Sequence, residues 1–424
     1  MTSTHSPDRS PRHPDAVAVA AVQRRTLVVL IATQILGTVG VGIAPSIGIL
    51  LAEEVTGSES LAGLARTCST LGAALFGLPL GTLAARRGRR VALSLGWLTA
   101  ALGSATLVLS AQFSLVVALF VGLLLIGAGS AVSLQSRFAA TDLAEPHHRG
   151  RALALVVWVG TIGSVLGPNL GVPGRVVGGW FGMDVYAGAF LIAAVCMTLA
   201  ALMVTALLRP DPLQVLRAGS VSSDLPRRRS GGVAALLTEV RTNPEARYAV
   251  IAILTAQVVM VALMTMTPVH ITHHGGSITL VGITISLHVL GMFALSPVVG
   301  WFADRFGHRL SIGVGVLVLL ASLVVGAARP EDMTAVMVCL FLLGLGWSFV
   351  SVSGSALFAT VIADERRAAS QGGVDALSNL CGATAALASG PVLMAGNFAV
   401  LSVLSMVLLV PLAVATMRQP SPQS

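Results

Sequence analysis

Residues 278–309, ITLVGITISLHVLGMFALSPVVGWFADRFGHR, decide the fold. The apolar run from Ile278 to Val299 is long enough to cross a hydrocarbon core of about 30 Å as a helix. It ends in Gly300, Asp304, Arg305, Gly307 and Arg309, a charged loop of the form GxxxDRxGxR that begins a second apolar run. Greasy helix, short charged turn and greasy helix together describe a hairpin threaded through a bilayer.

The rest of the chain repeats this arrangement. Of 424 residues 55% are apolar and 10% charged, where a soluble domain carries about 25% charge. The mean hydropathy is +0.86. Twelve apolar runs are long enough to span, six before and six after a polar link. The expected division is a tail at 1–26, a six-helix half at 27–208, a linker at 209–247, a second half at 248–417 and a tail at 418–424. Short alternating strands of a membrane barrel are absent from the pattern, so the fold class is all-α.

All 26 basic residues are arginines, and they sit in clusters between the runs. Arg24, Arg25, Arg86–Arg90, the linker, Arg305, Arg309, Arg366, Arg367 and Arg418 fall on one side. Arg66, Arg175 and Arg329 fall toward the other, beside Glu53, Glu54, Glu331 and Asp332. Positive charge marks the cytosolic face, so both termini and the linker are expected there. The same clustering argues against a nucleic-acid groove despite a net charge of +8. The four cysteines lie inside apolar runs, without the paired spacing of a metal or disulfide framework. Proline, arginine and serine in the linker read as a connector, with Val233–Val240 a short helix on the membrane surface.

An internal repeat links the halves. Gly81, Arg86, Gly88, Arg89 and Arg90 follow the second run as Gly300, Asp304, Arg305, Gly307 and Arg309 follow the eighth. At the same offset Gly163 matches Gly382. Ala85 stands where the first copy needs its aspartate, so Arg86–Arg90 are expected to act alone there.

Paired GxxxDRxGRR-like loops on a six-plus-six topology resemble the major facilitator superfamily. That resemblance implies two pseudo-symmetric six-helix halves, alternating access, and a conformational role for both charged loops. Gly163, Gly167 and Pro168 belong to a GxxxGPxxG segment that resembles span 5 of proton-coupled antiporters, although small residues there also serve close packing. Drug–proton antiporters carry an arginine four residues before their span 4 GxG; Gly127-Ala-Gly129 is present, but Leu123 occupies that position.

Few ionisable groups lie within the runs: His288 near mid-span, Asp375 toward the cytosolic end of span 11, and Arg137 and Asp142 at the end of span 4. Gln34, Gln135, Asn169, Gln257 and Asn379 are candidate cavity or packing residues. Met260 and Met264 in span 7, and His288 and Met292 in span 8, are each four apart and so share a helix face. Thioether and imidazole make a soft donor set suited to Cu(I). MxxxM followed by HxxxM is similar to the signature of CcoA-type bacterial copper importers, which implies metal ligation by these four residues. His270, His273 and His274 at the outer mouth are candidates for capturing metal.

The expectation is a secondary transporter of the bacterial inner membrane, monomeric, not an enzyme, with no cofactor and no nucleic-acid partner. Copper is its first cargo, and a small organic solute such as a drug or riboflavin its second. No GxxxxGK[ST] loop is present for nucleotide. Reporter fusions at Gly219 and at the C-terminus should read cytosolic and a fusion at Ser58 external; a cytosolic Ser58 would overturn the twelve-span topology.

Overall fold

The computed structural model describes residues 16–145, 149–219, 232–362 and 364–418. Among them are twelve membrane-crossing spans. Helices dominate because each satisfies its own backbone hydrogen bonds where no water is available.

Span 1 runs as Ala16–Gly42 and Ile47–Thr56, span 2 as Glu59–Arg87, span 3 as Arg89–Phe113 and span 4 as Val116–Thr141. Span 5 begins as Arg149–Leu166, tightens to a 3-10 turn at Gly167–Leu170 and resumes as Gly171–Phe181. Span 6 is Val185–Leu207. In the second half, span 7 is Pro244–His273, span 8 is Ile278–Phe293 with Ser296–Phe306, and span 9 is His308–Ala328. Spans 10, 11 and 12 are Met333–Val361, Asp364–Ala395 and Phe398–Arg418. The face carrying Glu53, Glu54 and Arg329 is the one expected outside from the arginine distribution and is termed the outer face, the opposite one the inner face.

Three spans are broken, and each break has a proline in or beside it: Pro45, Pro168 and Pro297. Proline lacks the N–H that continues a helix and collides with the preceding turn. Pro79, Pro268, Pro391 and Pro411 are nevertheless carried inside continuous helices.

Glycine sets how closely the helices approach. Lipid tails are as apolar as leucine, so association depends on close packing and small residues. A Cβ on Gly163 would lie 2.5 Å from the carbonyl oxygen of Ile35, and one on Gly167 would lie 2.6 Å from that of Val39. The GxxxGPxxG segment is therefore a seam holding span 5 against span 1.

Two expectations change here. Helix begins at Ala16, inside the residues read as a tail. The linker is more than a connector, for it contains helices Pro212–Gly219 and Gly232–Thr242; its residues 220–231 lie outside the described segments. The second of these helices packs on span 11, with Leu236 and Glu239 buried, where a membrane-surface position was expected. The apolar face that suggested a lipid surface is spent on protein.

The charged loops superpose in conformation. Gly88 and Gly307 adopt φ of 95° and 92°, and their amides donate to Ala84 and Ala303 at 2.9 Å in both copies. Only glycine occupies this region without strain. Gly307→Ala should cost about 1–3 kcal/mol. Gly88→Ala should cost more, because the added Cβ would lie 2.4 Å from an Asp211 carboxylate oxygen. Thermal unfolding of the detergent-solubilised variants measures this order, and equal midpoints for wild type and both variants would contradict it.

Candidate functional site

The two halves meet toward the outer face. A Cβ on Gly63 of span 2 would lie 2.4 Å from the Ala386 carbonyl oxygen of span 11, and the Thr67 hydroxyl donates to the Ala383 carbonyl at 2.9 Å. Between spans 5 and 8, Asn169 donates to the Ser286 hydroxyl at 2.6 Å, which in turn donates to the Val165 carbonyl at 2.8 Å. A Cβ on Gly171 would touch Ile278. At the rim, His273 of span 7 pairs with Glu53 of span 1. Asn169, expected at a cavity wall, thus serves the closure.

Toward the inner face the charged loops make no ion pair from one half to the other among the described residues. Asp304, Arg305, Arg86 and Arg87 are exposed and make no ion pair among the described residues. Arg309 pairs with Glu245 at the start of span 7, and Arg89 takes Asp142 through two hydrogen bonds of 2.8 and 3.1 Å. Both pairs stay within one half. Arg137 of span 4 and Asp375 of span 11, in opposite halves, carry opposite charges and share no hydrogen bond among the described residues.

The expectation that Arg86–Arg90 act alone is corrected by Asp211. Its carboxylate accepts from the Arg90 amide at 2.8 Å and caps the first linker helix through Leu213 and Gln214. Arg217 adds a hydrogen bond to the Ala85 carbonyl at 2.6 Å. A carboxylate from beyond span 6 thus reaches the loop whose own aspartate is missing. The signal was Asp211 before Pro212, a helix-start pattern.

At mid-membrane depth the lining is polar but uncharged. Gln34 of span 1 bonds Ser133 of span 4 and lies against Gly160 of span 5. Gln257 of span 7 accepts from the Trp347 indole of span 10 at 3.0 Å and lies against Gly382 of span 11. The two glutamines occupy equivalent places in the halves. This pairs Gly382 with Gly160, one turn from the Gly163 that the sequence offset indicated. Phe293 meets Trp347 edge to face at 5.9 Å. Gln34 Oε1 has no partner among the described residues. Gln135 turns to the Gly77 carbonyl at 3.2 Å, tying span 4 to span 2. Asn379 is partly buried on span 11.

The four soft donors are all buried. His288 is completely enclosed; its Nδ1 bonds the Leu340 carbonyl at 2.8 Å, and its Nε2 has no partner among the described residues. Span 8 packs far more on span 10 than on span 7, with the His288 backbone against Gly344. The His288–Met292 pair is thereby tied to span 10, whereas Met260 and Met264 belong to span 7.

Of the outer histidines, His270 and His274 keep their rings 4.2 Å apart, while His273 turns to the other half. His270 is buried, with Nε2 on the Pro330 carbonyl at 2.6 Å and its ring stacked on Phe398 at 4.6 Å. His274 Nδ1 bonds the His270 carbonyl at 2.9 Å, and His273 goes to Glu53. Among the described residues no three His, Cys, Asp or Glu side chains gather as a metal site.

Arg66 of span 2 is the residue that sequence reasoning passed over. Assigned to the outer side, it lies half-buried within span 2, between the Gly63 and Thr67 positions that meet span 11. Its guanidinium has no hydrogen-bond or carboxylate partner among the described residues. An arginine inside an apolar run was the available signal.

Relatives agree with this architecture. The Major Facilitator Superfamily model matches residues 29–282 and 270–424. An uncharacterized MFS-type transporter, YdeG, of Bacillus subtilis (strain 168) is 36% identical over 92% of this chain and 90% of its own. The riboflavin transporter RfnT of Brucella anthropi is 30% identical over 84% of this chain and 86% of its own. Among solved structures, the nucleoside transporter NupG superposes with a TM-score of 0.69 at 14% identity, covering 94% of this chain and 100% of that one. A bacterial homolog of the lysosomal transporter Spinster, inward-facing and occupied, also gives 0.69, at 15% identity over 95% of this chain and 99% of that one. By the match along nearly its whole length, the chain belongs to the major facilitator superfamily.

Proposed function

We propose that this secondary transporter moves a small, uncharged organic heterocycle of the riboflavin type by alternating access, and that the outer-closed arrangement is its inward-open state. The observation that carries the reading is the neutral mid-membrane frame. Gln34 presents an unpaired carbonyl oxygen, while Gln257 and Trp347 offer an amide beside an indole and the Phe293 ring. Aromatic faces stack on planar rings, and amides read their polar edges. The riboflavin relative supports the same solute class.

Copper remains a second reading, because one observation favours it. Metal-ligating histidines commonly donate their other ring N–H to a backbone carbonyl, as His288 does to Leu340, leaving Nε2 open. Met292 follows one turn later. Against it stands the separation of the donors, His288 and Met292 on span 8 packing on span 10 while Met260 and Met264 belong to span 7.

Alternating access exposes the frame to each side in turn. In the arrangement seen, Gly63, Thr67, Asn169 and Ser286 hold the outer end shut. The exposed Asp304 and Arg305 would find partners across the inner gap when the halves rock the other way.

Cells unable to make or import riboflavin, expressing this chain, test both readings. Growth at low riboflavin with unchanged cellular copper is the expected result. Gln257→Leu should cut riboflavin uptake about tenfold, the loss for leaving a polar edge unpaired. Copper accumulation without riboflavin uptake, abolished by His288→Leu and weakened by Met260→Ile or Met264→Ile, would overturn the heterocycle reading in favour of copper.

A further inference from the structure

At their outer ends spans 9 and 10 leave a groove of about 370 Å³ between them. Val324 and Ala328 of span 9 form one wall, Ala335 and Val338 of span 10 the other, and Arg329 and Asp332 line the mouth. Deeper in the membrane the same two spans close on each other. The Ser322 hydroxyl donates to the Cys339 carbonyl at 2.7 Å, and a Cβ on Gly346 would lie 2.8 Å from Leu319.

The groove faces lipid. A Cβ on Gly326 would meet Ser402 and Phe398, so that side of span 9 is turned to span 12. Val324 and Ala328 each lie two residues from Gly326, about 200° round the helix, and so belong to the opposite side. Val324 and Val338 are exposed apolar side chains. They sit four and five residues inward of the span ends Ala328 and Met333, about 6–8 Å deeper by helix rise. Charged at headgroup level and apolar below it, the groove has the polarity profile of a single phospholipid.

Its mouth is held in place and its charges are available. Asp332 caps span 10 through Oδ1, which accepts from the Thr334 and Ala335 amides at 2.9 and 3.3 Å, leaving Oδ2 for another donor. The Pro330 carbonyl, between the two charged residues, accepts from His270 Nε2 of span 7 at 2.6 Å. Neither Arg329 nor Asp332 makes an ion pair among the described residues. A guanidinium takes a phosphate through parallel N–H donors, and a carboxylate takes an ammonium. A phosphodiester carrying a primary amine supplies both groups a few bonds apart. An anionic headgroup without the amine would suit Arg329 but would meet Asp332 and the exposed Glu331 beside it.

We propose that this groove is a binding site for an amine-bearing zwitterionic phospholipid of the outer leaflet. Its phosphate lies on Arg329, its ammonium on Asp332 and an acyl chain between Val324 and Val338. The site belongs to the second half alone and is independent of which solute is carried. Through His270 the lipid-bound loop is fastened to the end of span 7, whose His273 makes the rim contact with Glu53 of the first half. The lipid thus supports the part of the second half on which outer closure bears.

Competition among lipids of identical acyl chains for the purified full chain, read by native mass spectrometry, tests the site. Phosphatidylethanolamine offers ammonium N–H donors, phosphatidylcholine keeps the charge but replaces them with methyl groups, and phosphatidylglycerol has no amine. At equal concentrations wild type should retain phosphatidylethanolamine about fivefold more than either of the others. Asp332→Asn keeps a capping oxygen but removes the charge, and should bring the ethanolamine and choline lipids to about onefold. Arg329→Gln should weaken retention of all three by about fivefold. Equal retention of the three lipids by wild type, or a preference undiminished in Asp332→Asn, would leave only ordinary annular contact and overturn the proposal. A wild-type dimer without retained lipid would give the groove to a second copy of the chain and overturn it equally. The wild-type comparison needs no variant, so misfolding of a substituted protein cannot imitate the result.

Discussion

Backbone meets backbone where span 2 crosses span 11, with room at Gly63 for a hydrogen but not a methyl group, and the closed outer face depends on that approach. In lipid no hydrophobic force draws two greasy helices together, so contact must come from shape and from hydrogen bonds. Thr67 supplies such a bond to Ala383, and Asn169 with Ser286 supplies the counterpart between spans 5 and 8. Among the described residues these hydrogen bonds lie toward one end, where spans 2 and 11 pack closely. A seam of this kind holds two rigid halves together yet can open without disturbing the interior of either.

Within each half the opposite rule applies. Arg89 with Asp142 and Arg309 with Glu245 join neighbouring elements of the same half, and Gln34 and Gln257 each bind spans 1, 4 and 5 or 7, 10 and 11 into one unit. Asp211 adds a clamp peculiar to the first half, fastening the linker to the turn between spans 2 and 3. The linker therefore moves with the first half at its start. At its end the helix Gly232–Thr242 moves with span 11 of the second.

Much of this was legible in the residues. Hydropathy alone marks twelve spans, and the repeat of Gly88 in Gly307 foretold two turns of the same unusual conformation. Broken helices at Pro45, Pro168 and Pro297 were less legible, because Pro79 and Pro391 look alike in sequence and are tolerated. The candidate site was read unevenly. His288 stood out as a titratable group in an apolar run, and the structure leaves its Nε2 open. Helical spacing brings Met260 to Met264 and His288 to Met292, but it says nothing of which neighbouring span each pair faces. The outer histidines share a helix turn, and His270 and His274 stay in ring contact while His273 goes to Glu53. Arg66 was sorted by its side of the membrane, a rule suited to loops that says nothing of a half-buried side chain within a span.

The central claim is that the seam at Thr67 and Ala383 closes one state of a cycle and must open in the other. Cross-linking tests it most directly, in a background with Cys68, Cys196, Cys339 and Cys381 replaced by serine. With Thr67→Cys and Ala383→Cys introduced, oxidation should form the disulfide and stop uptake of the transported solute, and reduction should restore it. Uptake that continues at an unchanged rate with the disulfide fully formed would contradict the account.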